Sequence, residues 1–330
     1  MILFILSFIL RRLAQGVLIV FLVTFVIFSL LRIIPGDPTR VILGPMASDE
    51  VRENAAVELG LNKPIIIQYF SYVGDLAKGD FGKSFIRGKQ GGSMGGSQDS
   101  KGLDLEHRAS VLELILKVLP KSLILAGIGI FFALLLSIPI GILAGLKSNS
   151  FFGKLSLYLS SFLVSLPNIW IALVLILLVS VNAGLLPAFG YKNITYAILP
   201  AIVLAIEISP VLIRAFAVSV SSNLSETYYE IGIVRGISKI NMILKHVVRN
   251  SLIPILNLFG AQLIGMILGG LFVVEFIFNY PGLGLLAINA VFQRDFPIIQ
   301  AIAVLASSAL VIINIIVDLI ASLIDRRLNF

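Results

Sequence analysis

Cysteine is absent from the 330 residues, and histidine occurs only as His107 and His246. These absences exclude a disulfide framework and a thiolate metal site, and they leave too few imidazoles for a protein zinc cage. Charge is scarce as well: 13% of residues are charged and 58% hydrophobic, against about 25% and 45–50% in a soluble domain. With a mean hydropathy of +1.02, this is the composition of an integral membrane protein. An intact phosphate-binding loop, G-x-x-x-x-G-K-[ST], is missing too. Gly82-Lys83-Ser84 has Ala77 where the first glycine belongs, and the run from Gly141 to Ser148, GILAGLKS, has Leu146 between its second glycine and its lysine. Any ATP hydrolysis therefore belongs to another chain. The two histidines lie far apart in sequence, so no nucleophile, base and orienter assemble into a hydrolytic site. The chain is expected not to be an enzyme and to hold no metal or cofactor of its own.

The net charge of +7 does not indicate nucleic acid, because the lysines and arginines sit in short segments beside apolar runs, where they set membrane topology. Six such runs occur. The first, Leu13 to Leu31, is uncharged and long enough to cross a hydrocarbon core, and Arg11 and Arg12 before it place the N-terminus inside. It is longer than the apolar region of a signal peptide, and no A-x-A-like cleavage site follows. Further runs extend over Leu123–Leu146, Leu155–Val181, Ala197–Ser222, Leu252–Phe278 and Ile302–Ile324. Lys147 and Lys154 share one inner loop between the second and third, and the DRR of Asp325 to Arg327 closes the chain inside. Pro139 and Pro167 lie within runs and should kink or end their helices. Gly265 and Gly269 form a G-x-x-x-G pattern that admits a close neighbour helix.

After the first run, Pro35 and Pro38 bracket Gly36 and Asp37 and should turn the chain at the outer surface. From Thr39 to about Leu112 nothing is long and apolar enough to span, so this is a large extracytoplasmic insert. Its stretch from Gly88 to Gly102 is rich in glycine and serine and reads as a mobile linker.

Between the fourth and fifth runs lies the most distinctive segment, ETYYEIGIVRGISKINMILKHVVRNSLIP, from Glu226 to Pro254. Arg235, Lys239, Lys245 and Arg249 outnumber Glu226 and Glu230, which marks a cytoplasmic loop. Its apolar positions Ile233, Ile237, Ile240, Ile243 and Leu244 recur at three- and four-residue steps, as in helices laid against a partner. Gly236 interrupts the pattern and predicts a sharp turn.

Tyr228, Gly236, Lys245-His246, Arg249-Asn250 and Pro254 together resemble the coupling loop of ABC importer permeases. The match is narrower to the dipeptide, oligopeptide and nickel branch. The strings IIPGDP, LGLNKPIIIQY, GDFGKSF, SLPNIW around Pro167, GLLPAFGY from Gly184 to Tyr191 and VVEFIFNYPGLG also resemble its signatures. The resemblance covers nearly the whole chain. It implies an all-α membrane protein of about six transmembrane helices, a type I (MetI-like) ABC importer transmembrane domain. Residues 1–112 would be the first helix with the insert, and residues 113–330 the transmembrane core with its coupling loop at 226–250.

The implied partners are a second homologous permease, two cytoplasmic ATPase subunits that bind ATP and Mg, an extracytoplasmic solute-binding protein and the lipid bilayer. The implied location is a bacterial or archaeal plasma (inner) membrane, multi-pass, with both termini cytoplasmic. Coupling to the ATPases would fall to Glu226, Tyr228, Glu230, Gly236, Lys239, His246, Arg249 and Asn250. Charged residues inside spans face cavities or other protein groups by default, which makes Glu207, Arg214 and Glu275 candidates for the substrate path and leaves Asp318 a structural reading. Glu207 and Arg214, seven residues apart, share a helix face. Arg214 matches the family pattern, whereas Glu207 and Ala217 depart from it. The solute implied is a di- or oligopeptide, with nickel or an oligosaccharide as alternatives. The rival class, an ATP-independent transporter or channel, would show paired internal repeats, and none is visible.

Overall fold

The computed structural model describes residues 2–33, 38–44, 47–89 and 107–324. The Pro35-Gly36-Asp37 turn, most of the glycine-rich stretch and the terminal DRR lie outside the described residues. Helices dominate: α1 (Ile2–Ile33), α2 (Pro38–Leu43), α3 (Asp49–Glu58), α4 (Ile65–Ala77), α5 (Val111–Leu146), α6 (Phe151–Val164), α7 (Asn168–Leu175), α8 (Thr195–Leu224), α9 (Thr227–Val234), α10 (Lys239–Met242), α11 (Val248–Gly265), α12 (Leu271–Ile277), α13 (Leu283–Gln293) and α14 (Phe296–Ile324). Wider π turns continue α7 over Ile176–Asn182, join α10 to α11 over Ile243–Val247, and join α11 to α12 over Met266–Gly270. Two short strands, β1 (Lys83–Gly88) and β2 (Arg108–Ser110), pair antiparallel. Among the described residues five helices are long and apolar enough to span, and six if the bent pair α6–α7 counts as one span.

The expected third span is therefore broken. α6 and the α7 segment meet at 102°, with Pro167 capping α7 at φ −63°. Pro139 behaves differently, since α5 runs through it as helix. Among its described residues the insert contains no helix long and apolar enough to span, and these residues form α2–α4 and the strand pair.

By its internal contacts the chain forms two compact units. One comprises Met1–Pro120 with Leu285–Val311, the other Lys121–Gly284 with Ile312–Phe330. In the first, Ile42, Leu43 and Ala55 form a small core against Val51, Leu59 and Phe85. The Ser84 hydroxyl donates to Asp295, just before α14, and the Phe85 N–H donates to the same carboxylate at 3.0 Å. Ser84 and Asp295 are both fully buried. Burial pushes the Asp295 carboxyl above its usual range, while those two hydrogen bonds and nearby Arg87 pull it back in part.

The second unit is built around α8. Buried residues make up 67% of its most apolar window, against 11% to 33% in the other spans, so α8 is the central helix of the unit. α5 approaches it through small residues. A β-carbon at Gly141 would lie 2.5 Å from Phe216 Cβ, and one at Gly145 would lie 2.7 Å from the Ala217 carbonyl. The pseudo phosphate-binding string GILAGLKS is thus a helix-packing stripe. The G-x-x-x-G of Gly265 and Gly269 does not do this within the chain: nothing described lies within 4 Å of a β-carbon at either position. Close packing on this part of the chain falls instead to Gly260, against Val317.

Candidate functional site

The segment that follows α8 is a helical hairpin. α9 ends in a tight reversal: Gly236 N–H donates to Ile233 O at 3.0 Å and Ile237 N–H to Gly232 O at 3.1 Å. That pair of bonds needs a left-handed residue between them, and Gly236 supplies it at φ +84°. The predicted turn is therefore present. After Ser238 the chain re-enters helix at α10 and continues through the π turn into α11, the fifth span. The hairpin is thus continuous in helix with the fifth span.

Two features hold the hairpin closed. Gly232 is buried, and a β-carbon there would lie 2.7 Å from Met242 Sδ, so α9 and α10 touch at this pair. At the base, Tyr228 donates its hydroxyl to Asn223 Oδ1 at 2.8 Å. Asn223 Nδ2 donates to the Ser219 carbonyl at 2.9 Å and to Ser251 Oγ at 3.2 Å, and Ser251 donates to the Val247 carbonyl at 2.8 Å. This chain of polar groups ties the end of α8 and the start of α9 to α11.

The opposite surface is uncovered. Val234 is 88% exposed, Ile240 70% and Leu244 61%, and Ile231, Ile233 and Ile237 are exposed too; Ile243 is half-buried. Glu226, Glu230, Lys239, His246, Arg249 and Asn250 are exposed around them, while Tyr228 is half-buried. Leu244, Lys245, His246, Arg249 and Asn250 line an open depression of about 570 Å³. An exposed apolar patch rimmed by charged and polar side chains is the chemistry of a protein-docking surface.

The three intramembrane candidates do not form one cluster. Glu207 on α8 is hydrogen-bonded to the side chain of Asn168 in the PNIW string. Its Oε2 is buried with no hydrogen-bond partner among the described residues, and a β-carbon at Gly270 would collide with that carboxylate. Arg214 is exposed and donates to Ser161 on α6.

Glu275 is fully buried. Ser122 donates to its Oε1 and Gly284 N–H to its Oε2, each at 2.5 Å, and a β-carbon at Gly282 would strike the carboxylate. The PGLG loop thus encloses this carboxylate. The loop GLLPAFGY, from Gly184 to Tyr191, closes on the same region. Gly190 N–H donates to Phe278 O at 2.9 Å, and Tyr191 meets Tyr280 edge to face at 5.2 Å between centroids. Tyr280 in turn donates to the Lys121 carbonyl at 3.2 Å.

Sequence reasoning missed Asn168, Ser161, Ser122, Asn223, Ser251 and the Ser84–Asp295 pair. The available signal was polarity in or beside spans, but serine in a helix commonly satisfies its own i−4 carbonyl, as Ser156 does with Phe152 at 2.8 Å. That habit hides the few that bind across helices.

Residues 137–330 match the family model described as binding-protein-dependent transport system inner membrane component, and residues 5–126 match that of its N-terminal region. The chain is 32% identical to the oligopeptide transport system permease protein AppB of Bacillus subtilis, over 98% of this chain and 99% of that one. It is 32% identical to a probable peptide ABC transporter permease protein, y4tP, of Sinorhizobium fredii, with the same coverage. It is 31% identical to the glutathione transport system permease protein GsiC of Escherichia coli, again over 98% and 99%. Among solved structures, a chain of the inward-facing MetNI methionine ABC transporter superposes with a TM-score of 0.56 at 16% identity, covering 66% of this chain and 98% of that one. That likeness concerns the fold. The chain belongs to the family of binding-protein-dependent transport system inner membrane components, the membrane-spanning permease subunits of ABC importers, which are not themselves enzymes.

Proposed function

We propose that this chain forms half of the translocation path of an ATP-driven importer of peptides, completed by a second, homologous permease. Two cytoplasmic ATPase subunits, which bind ATP and Mg, dock on the α9–α10 hairpin, and an extracytoplasmic solute-binding protein delivers the solute. The relatives named for oligopeptide, peptide and glutathione transport support a peptide over nickel or an oligosaccharide. The single observation that carries the coupling role is the exposed apolar and basic hairpin surface, continuous in helix with α11 and tied to α8 through Tyr228, Asn223 and Ser251.

In this reading both termini are cytoplasmic, the insert after α1 is extracytoplasmic, and the division at about residue 112 separates the N-terminal part from the transmembrane core. Glu226, Glu230, Lys239, His246, Arg249 and Asn250 rim the docking surface. Glu207, with its unpartnered oxygen, and Arg214 line the path, whereas Glu275 supports it by pinning the PGLG loop. The open G-x-x-x-G face at Gly265 and Gly269 receives a helix of the second permease. ATPase closure pushes the hairpin, and α8 and α11 tilt with it.

The test is co-purification. Because the chain lacks cysteine, single cysteines also report topology: Glu53→Cys should label with an impermeant reagent from outside and Lys239→Cys only from inside. Ile240→Asp with Leu244→Asp should abolish recovery of the ATPase subunits while the second permease still co-purifies. Undiminished ATPase recovery in that double variant would overturn the docking assignment.

A further inference from the structure

The helix α4, Ile65–Ala77, lies in the insert after α1, and length excludes it as a span. Its contacts nevertheless fall deep along α1. Tyr69 donates its hydroxyl to the Phe21 carbonyl at 2.7 Å and lies 2.9 Å from Thr24 Oγ1. Its ring packs edge-on against Phe21, Phe25 and Phe28 at 5.1, 5.0 and 5.5 Å. Tyr72 stacks on Phe28 at 5.6 Å. Phe21 to Phe28 belong to the uncharged run of α1 that ends at Arg32. At about 1.5 Å per helical residue, Phe21 is ~15 Å and Phe28 only ~5 Å below Leu31. A hydrocarbon core is about 30 Å thick, so these contacts occupy the outer half of the bilayer.

The other side of α4 is apolar and open. Ile66, Ile67 and Phe70 are 60%, 53% and 61% exposed, and no charge occurs between Lys63 and Asp75. The loop leading in is closed on itself. Gln68 Nε2 donates to the Leu61 and Lys63 carbonyls at 3.1 and 2.7 Å, and Leu61 N–H donates to Ala56 O at 2.8 Å. Backbone groups at the edge of hydrocarbon must find such internal partners.

We infer that α4 is an interfacial helix sunk into the outer leaflet, with Ile66, Ile67 and Phe70 in contact with lipid acyl chains. Lys63 and Asp75 reach up to the headgroups from its two ends. This face continues the lipid-facing surface of α1, where Val17, Leu22, Val26 and Leu30 are exposed. The insert is then moored to the membrane beside α1, and only its remaining parts stand in the extracytoplasmic solvent.

Spin labels test this in the full chain, assembled with its partner subunits in liposomes. Single cysteines replace Ile66, Phe70 and, as a solvent control, the exposed Glu53. The expected result is collision with oxygen several-fold more frequent than with a water-soluble nickel chelate at 66 and 70, and the inverse at 53. Access of the chelate to 66 and 70 equal to that at 53 would overturn the inference. So would exclusion of both reagents, which would mean that protein covers the face. Import activity of each labelled complex establishes that the fold is intact, and Ile67→Cys replaces either site should its label prevent assembly.

Discussion

Ser122 and Glu275, 153 residues apart, meet through a 2.5 Å hydrogen bond, and the same serine hydroxyl accepts the Leu283 N–H at 2.7 Å. One small side chain thus links α5, the end of α12 and the start of α13. Glu275→Ala leaves Ser122 and Gly284 N–H without their buried acceptor. That loss should cost about 3–5 kcal/mol if the carboxylate is charged, and about 1–3 kcal/mol for neutral hydrogen bonds. A lowered melting temperature of the detergent-purified chain is the expected signature, with Glu275→Gln intermediate. Unchanged melting in both variants would return Glu275 to the path.

The contact of Gly232 with Met242 gives a compensation test. A β-carbon 2.7 Å from Sδ forces the flexible methionine aside, so Gly232→Ala should weaken uptake moderately and Gly232→Val severely. Met242→Ala placed in the same chain as Gly232→Ala should restore part of the loss. Failure to restore it would show that hairpin closure is set elsewhere.

Arg214 is exposed and donates to Ser161, so Arg214→Ala should leave melting within about 0.5 kcal/mol of wild type, as surface replacements do. Uptake should fall about tenfold if the guanidinium lines the path. Normal uptake would reduce it to a helix-packing role.

Asp295 predicts a pH dependence. Its carboxyl is raised by burial, so the folded chain holds the proton more tightly than the unfolded one. Stability from this group is full below the unfolded value and is lost as pH rises through the raised native value. The melting temperature of wild type minus that of Asp295→Asn should therefore increase on acidification from neutral pH toward the ordinary carboxylate range. A difference that is flat or falls on acidification would contradict the burial assignment.

Much of this architecture was legible in the sequence because membrane spans announce themselves: long apolar runs, with two charges at most in any of them, predicted α1, α5, α8, the α11–α12 segment and α14. Local chemistry also predicted the Gly236 turn. What sequence could not rank were features of one residue type whose fate depends on neighbours. Pro167 breaks its helix by 102°, whereas α5 continues through Pro139, two residues before the glycine stripe that presses it onto α8. Gly265 and Gly269 matched the packing pattern and stayed open, while Gly141 and Gly145, inside a false nucleotide motif, do the packing. The helix α13, Leu283–Gln293, had no advance reading because its start depends on the distant clamp at Ser122 and Glu275. The Tyr228–Asn223–Ser251 link was hidden for the same reason, as polar residues at helix ends look alike until helices meet.

The coupling claim rests most directly on Gly236. Open space surrounds its β-carbon position, so a side chain meets no steric wall there, and the constraint is its φ of +84°. A left-handed backbone costs an ordinary residue about 1–2 kcal/mol, more for a β-branched one, whereas asparagine tolerates it. The decisive measurement is ATP-driven solute uptake by the complete transporter in liposomes carrying Gly236→Ile, with Gly236→Asn alongside. The predicted result is that both variants assemble with the second permease, that Gly236→Asn imports near the wild-type rate, and that Gly236→Ile loses import at least about tenfold. Wild-type import by Gly236→Ile, with ATP hydrolysis still stimulated by solute, would contradict the assignment of this hairpin as the coupling element.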